Sequence, residues 1–326
     1  MKEKTVFLTG ITGLLGANVA RTLLGAHYKV KALTRKKQLP DSLTHKNLQL
    51  IYGQLDEDWR VELEKTDYFI HAAGVSNPAL LNYTDYQQVN VELTKKLLQT
   101  CKKAKLKKFI YISSANTIGY GNHDSLGEES RAIREPFTHS LYARSKLEAE
   151  NYVLSENSDL HTLVINPTFM IGPYDNKPSS GRIILRALEK SLLFYPKGGK
   201  NFVSVKDVSL GILYCLEKKV SSERYLLANE NLSYRQFYNK LHTITNQKPL
   251  MLGVPKSLLL LVGYFGDLLR KLGIKTELSS TNMRILNIKN YYYNGKSKAV
   301  LKMEYHPIDI AISEAVKYFQ HQKKFD

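Results

Sequence analysis

"TVFLTGITGLLGANVARTLL", residues Thr5 to Leu24, decides how this chain reads. It starts as an apolar strand, passes three glycines and continues as an apolar helix. Gly10, Gly13 and Gly16 stand three residues apart, as T-G-I-T-G-L-L-G. Glycine permits a tight turn and a close backbone approach, and the first amides of a helix have no intrahelical acceptor. A turn of this kind between strand and helix can seat a pyrophosphate on those amides. Thr12, Leu14 and Leu15 belong to the same turn and are assigned to cofactor binding with the glycines. The spacing is GxxGxxG rather than GxGxxG, and alone it also suits a purely structural turn.

Outward from this turn, strand-like and helix-like segments alternate. Strands are expected at 5–8, 29–33, 48–52, 68–71, 109–113 and 162–166, each short and rich in β-branched or aromatic residues. Helices are expected at 15–24, 86–103 and 142–155, the second carrying Val89, Leu93, Leu97 and Leu98 near helical spacing. This order predicts an α/β fold: a Rossmann-type doubly wound parallel sheet with a smaller C-terminal substrate-binding domain. The dinucleotide-binding domain is placed at 1–166, with segments near 200–228 returning to it, and a substrate-binding or lid region at 167–326. No internal repeat or low-complexity tract is visible.

The second strand ends "KALTRKK". An acidic residue at this end would bind the ribose hydroxyls of NAD. Here Thr34, Arg35, Lys36 and Lys37 stand instead. Arg35 can make charge-assisted bonds to a 2′-phosphate, so NADP(H) is preferred, with NAD(H) left open.

"HSLYARSKLEAE" contains Tyr142-x-x-x-Lys146, whose side chains share one face of a helix. A nearby ammonium is expected to lower the tyrosine's pKa, so that Tyr142 exchanges a proton while a cofactor exchanges hydride. Lys146 can also bond the cofactor ribose. Alone, this pair is a weak signal in a chain with 21 tyrosines. Upstream, the strand in "KKFIYISSANTIGYG" runs into a serine pair at its carboxyl end, where ligands of open α/β sheets gather. Ser114 is placed to bond the substrate oxygen; Ser113 either does the same or caps the strand.

With these segments together, the sequence resembles the extended short-chain dehydrogenase/reductase family (the NAD-dependent epimerase/dehydratase superfamily), in its dihydroflavonol-reductase and 3β-hydroxysteroid-dehydrogenase-like branch. The matching stretches are Thr9 to Gly16, "HAAG" from His71 to Gly74, Asn90 in "VNVELTKKLL", the serine pair, Y-x-x-x-K, "NPTFMIGP" from Asn166 to Pro173, and "FVSVKDV" from Phe202 to Val208. The tail "YYYNGKSKAVLKMEYHPIDIAISEAVKYF" is similar to that of the reductases.

The resemblance implies an NADP-dependent enzyme that interconverts a secondary alcohol and a carbonyl, with Ser114, Tyr142 and Lys146 catalytic. It implies that Ala72, Ala73 and Gly74 pass beneath adenosine and ribose, that Asn90 and Ser113 belong to the cofactor site, and that Pro167 and Thr168 lie by the nicotinamide. His71 is expected to support structure. A homodimer through 86–103 and 142–155 is also implied. Two positions depart from the family. Gln54 and Leu55 stand where an Asp-Leu or Asp-Ile pair often contacts adenine, and Gln54 can still bond adenine through its amide. Ile118 stands where epimerases carry a pocket tyrosine, which argues against a nucleotide-sugar substrate. An epimerase or dehydratase that retains NAD is the alternative. A dinucleotide sensor without chemistry is the third reading, disfavoured because Tyr142 and Lys146 are both present.

Composition narrows the partners. The formal net charge of +17 favours anionic ligands such as a phosphorylated cofactor, although many lysines fall on polar helix faces. No recognition motif accompanies the charge, so nucleic acid is not expected. Cys101 and Cys215 have no metal-like spacing, no metal is expected, and with no leading signal-like run the chain reads as cytoplasmic. The run Ser257–Leu269 is too short to span a bilayer. It reads as a lid or core helix, in preference to a peripheral membrane contact.

Overall fold

A computed structural model describes residues 4–39, 43–156 and 159–322. Its strands run β1 Thr5–Thr9, β2 Lys29–Thr34, β3 Leu48–Tyr52, β4 Tyr68–His71, β5 Lys108–Ile112, β6 His161–Pro167, β7 Phe169–Ile171, β8 Leu192–Pro196, β9 Gly199–Ser204, β10 Arg224–Leu227, β11 Glu230–Ser233, β12 Leu250–Val254 and β13 Lys289–Asn290. Seven of them form one sheet in the order β10-β6-β5-β4-β1-β2-β3. Every pair in it is parallel. The six strands expected from the sequence all form, each end within one residue of expectation.

The alternation of side chains explains why helices cover both faces. Val6 and Leu8 of β1, Ile110 and Ile112 of β5, and Leu163 and Ile165 of β6 enter one core, with Leu15, Val19 and Leu23 of helix Leu14–Gly25 and Val208 and Ile212 of helix Val205–Glu217. Phe7, Phe109, Tyr111 and Val164 enter the opposite core, with Leu97, Leu98, Ala149 and Val153 from helices Leu93–Lys103 and Leu141–Leu154. A strand buried on both faces reads as a nearly continuous apolar run.

The strand order reverses beside β1: the chain goes out through β2 and β3, then returns to place β4 on β1's other edge. Connections leaving β1 and β4 therefore diverge, opening a crevice at the carboxyl ends of the strands. Beyond β6, strands β7, β11 and β13 all pair with β9 in a second, smaller sheet. A third core covers it, in which Phe202 stacks on Phe237 with ring centroids 4.4 Å apart and Ile308, Ile312 and Phe319 close over them.

The apolar run near residue 260 forms helix Lys256–Lys271. It is not a core helix: Gly263 and Gly266 are its buried residues, Leu259, Leu260, Val262 and Leu269 are half-buried, and Leu258, Leu261, Tyr264, Phe265 and Leu268 are exposed. Gly266 lets the helix approach its neighbour closely, since a Cβ there would sit 2.3 Å from Leu278 O. Among the described residues no helix is long and apolar enough to cross a membrane.

Candidate active site

The glycine turn lies at the crevice. Gly10 has φ +85, a conformation that costs glycine little, and an added Cβ would meet Ala73 N at 2.7 Å. A Cβ on Gly16 would lie 2.0 Å from Gly10 O. Helix Leu14–Gly25 starts with no side-chain cap and no acidic residue in its first turn. Its free amides and positive end therefore face the crevice without a competing carboxylate, which suits a pyrophosphate.

Two hydrogen-bond chains hold this rim. Thr94 donates to Asn90 O at 2.8 Å, so its oxygen accepts from His71 Nε2 at 3.1 Å. Nδ1 then accepts from the Thr9 hydroxyl at 2.8 Å, and that oxygen accepts Ala73 N–H at 3.2 Å. His71 is fully buried and neutral; burial, with Lys146 nearby, lowers its pKa to about 3. As expected for a supporting residue, both its ring nitrogens are taken. Asn90 sits in a wide π turn, Gln87–Glu92, which interrupts the helix expected over 86–103. Its amide accepts Val75 N–H at 2.8 Å and donates to Val75 O and Ser145 Oγ, both at 2.9 Å. It clamps the loop after β4 from behind.

Ser140 caps helix Leu141–Leu154 by accepting Ala143 N–H at 3.3 Å. That puts Tyr142 in the first turn and Lys146 one turn later on the same face. Tyr142 faces the Ser114 hydroxyl, yet burial raises its pKa above the ordinary tyrosine value; Ser114 is the group that opposes the rise. The expected lowering by Lys146 is not met. Lys146 instead donates to Ile112 O at 2.6 Å and lies 4.2 Å from the centre of the Tyr111 ring. Burial brings its own pKa down to about 7, against a smaller upward pull from Glu150.

Beneath these residues is a network that the sequence did not reveal. The fully buried Glu150 accepts from Ser113 Oγ at 2.6 Å, Thr117 Oγ1 at 2.8 Å and Asn166 Nδ2 at 2.9 Å. Its other oxygen is 3.1 Å from Arg224 Nε. Ser113 thus turns its hydroxyl inward to Glu150. The signal was in "SKLEAE", which sets Glu150 one further turn along the Tyr142–Lys146 face.

A cleft of about 550 Å³ brings together Gly10, Thr12, Gly13, Leu14, Leu15, Gly16, Ala72, Gly74, Ser113, Ser114, Tyr142, Lys146, Pro167 and Thr168. It extends to Lys200, Asn201 and Tyr292 from later segments. Burial lowers Lys200 to about 8. Tyr292, from the "YYYNG" tail, donates to Ala115 O at 2.7 Å and so braces the serine loop. Ala73 and Asn90 stand behind the cleft wall. Arg35, exposed, follows β2, and Gln54 and Leu55 follow β3, the next strand, so they leave the same sheet edge beyond the cleft lining. Ile118 is fully buried.

A second cavity of about 340 Å³ lies between Tyr142 and the C-terminal helices. It is lined by Pro78, Leu80, Tyr86, Phe137, Leu141, Arg270 and Ile285, among others, and shares Ser76, Asn116 and Tyr142 with the first. Tyr142 therefore stands at the junction of two cavities.

A model of the NAD dependent epimerase/dehydratase family matches residues 6–228. The chain belongs to this family. Its members among the relatives are enzymes: it is 29% identical over 323 residues to a putative dihydroflavonol 4-reductase of Synechocystis sp., covering 97% of this chain and 94% of that one. It is 27% identical over 326 residues to sterol demethylase protein B of Methylococcus capsulatus, covering 98% and 99%. The crystal structure of gox2253 shares its fold at a TM-score of 0.84 with 25% identity, covering 98% and 99%. The protein is thus an oxidoreductase-type enzyme of the NAD(P)-dependent extended short-chain dehydrogenase/reductase family.

Proposed function

We propose that this enzyme uses NADP(H) to interconvert a secondary alcohol and a carbonyl on a small molecule, with Ser114, Tyr142 and Lys146 as its catalytic set. The observation that carries the reading is the position of Tyr142 at the junction of the two cavities. When bound, the nicotinamide cofactor gives or takes hydride. Gly10, Thr12, Gly13, Leu14, Leu15 and Gly16 would hold its pyrophosphate, Ala72 to Gly74 its adenosine side, Arg35 its 2′-phosphate, and Pro167 and Thr168 its nicotinamide end.

Tyr142 gives its phenolic proton to the carbonyl oxygen in reduction and takes it back in oxidation. Ser114 holds that oxygen in line with the phenol. Lys146, in its charged form, would bond the cofactor ribose. Tyr142, like a tyrosine of ordinary pKa, carries its proton at neutral pH and can donate it to a carbonyl. The reductase name of one relative supports reduction. The family resemblance adds a homodimer through 86–103 and 142–155, which sedimentation velocity would test.

A nucleotide-sugar epimerase or dehydratase that keeps its NAD is the second reading, favoured by the family's name. Buried Ile118 weighs against it. Two measurements decide. Denaturing the purified protein should release little nucleotide; stoichiometric NAD would move the assignment to the second reading. Tyr142→Phe should slow turnover by about 10²–10⁴-fold while NADPH binding stays nearly intact. Activity that survives the substitution would sink the mechanism.

A further inference from the structure

Helix Lys256–Lys271 is inverted for a helix of a water-bathed protein. Its glycines face inward, while Leu258, Leu261, Phe265, Leu268 and Leu272 are 50%, 66%, 59%, 54% and 70% exposed. Their spacing of three and four residues makes one continuous outward stripe. The strand that leads into the helix behaves the same way. In the parallel β8–β12 ribbon, Leu192 pairs with Leu250 and Phe194 with Leu252, and all four side chains are exposed. An apolar surface of this extent marks a docking site.

The charge around it names the partner. Segments 190–197 and 248–275 carry Lys190, Lys197, Lys248, Lys256, Arg270, Lys271 and Lys275 against a single acid, Asp267. All six lysines are exposed. Asp267 is occupied in accepting Ser280 N–H at 3.1 Å. An apolar stripe rimmed by lysines matches the boundary of an anionic bilayer, where apolar side chains enter the acyl region and lysines meet phosphates.

The helix also borders the second cavity. Asp267 and Arg270 line that cavity and, with Leu81, Tyr264, Leu268 and Lys271, a depression on its outer side. Arg270 fixes this border by donating to Leu80 O at 2.7 Å and Thr276 O at 2.8 Å.

We propose that helix Lys256–Lys271 docks the enzyme onto an anionic phospholipid surface and sets the outer side of the Tyr142 cavity against the bilayer. A substrate that is an apolar carbonyl or alcohol dissolved in the membrane follows from this. That part rests on the reductase reading; the docking itself does not, so the two can fail separately.

The test is co-sedimentation of the full chain with vesicles of phosphatidylglycerol and phosphatidylcholine in equal parts, and of phosphatidylcholine alone. The wild type should pellet with the anionic vesicles at low salt and be released by high salt. Leu261 and Phe265 line neither cavity. The double variant Leu261→Ser, Phe265→Ser should keep its melting temperature and NADPH binding yet bind anionic vesicles on the order of a hundredfold more weakly. If that variant does not fold, Lys256→Glu with Lys275→Glu should weaken binding by at least roughly twentyfold. A wild type that stays in the supernatant overturns the proposal. So does equal binding to neutral vesicles, or a dimer that ignores vesicles and that the double variant converts to monomer, which would make the face a self-interface.

Discussion

Arg35 and Lys146 place their charge under opposite conditions, and their predictions differ accordingly. Arg35 is exposed at the end of β2, so it meets a ligand at little desolvation cost. A guanidinium on a phosphate forms charge-assisted bonds, each worth about 1.5–3 kcal/mol. Arg35→Ala should therefore weaken NADPH about 10- to 100-fold and leave NADH nearly unchanged in fluorescence titrations. Equal losses for both would refute the NADP preference. Lys146 is buried, and its pKa falls to about 7 because burial penalises the ammonium. Its charge is thus present below about pH 7 and lost as pH rises through that value. If the ammonium is needed, kcat/KM for NADPH, which reports the free enzyme, declines above that pH. Lys146→Arg stays charged and should move the decline upward. A profile flat across this range would show that the charge on Lys146 does not matter.

At the scale of elements, the cradle makes a sharper test than any side chain. A Cβ at Gly16 would overlap Gly10 O, whereas one at Gly13 would rest 3.5 Å from the same atom, an ordinary contact. Gly16→Ala should cost about 1–3 kcal/mol of stability and abolish tight NADPH binding, and Gly13→Ala should leave the fold's stability nearly unchanged. Comparable thermal melts for the two would contradict the close packing of helix and strand. The same elements show what a sequence can carry. The central strands are legible because their apolar runs are local and bounded by polar residues or glycine. Strands β7 and β13 are three and two residues long, and each exists through pairing with distant β9, so no local pattern announces them. The Tyr142–Lys146 pair is legible because one helix carries both. Glu150 stayed hidden because Ser113, Thr117, Asn166 and Arg224 reach it from separate segments. The expected drop in the Tyr142 pKa failed for a related reason: spacing along a helix gives a shared face, but the Ile112 carbonyl, supplied by β5, decides where the ammonium goes.

For the whole molecule, the two cysteines report on the two faces of the sheet. Cys215 lies in the core with Val208 and Tyr225, and Cys101 in the opposite core with Phe69 and Leu97. Neither is exposed. Burial pushes Cys215 up to about 12 and raises Cys101 as well, so almost no thiolate forms at neutral pH. A disulfide reagent can then reach either thiol only when its core opens. Because β1, β5 and β6 contribute side chains to both cores, one face cannot open without stripping the other. Both thiols should react at one common, slow rate. The glycine cradle is built on β1, so a bound dinucleotide opposes the same opening, and NADPH at about 100 times its Kd should slow both thiols about a hundredfold. Mass spectrometry of the labelled peptides over time gives the two rates separately. Unequal rates would mean that the helices peel from one face alone, and rates that NADPH leaves unchanged would mean that the cradle survives the opening.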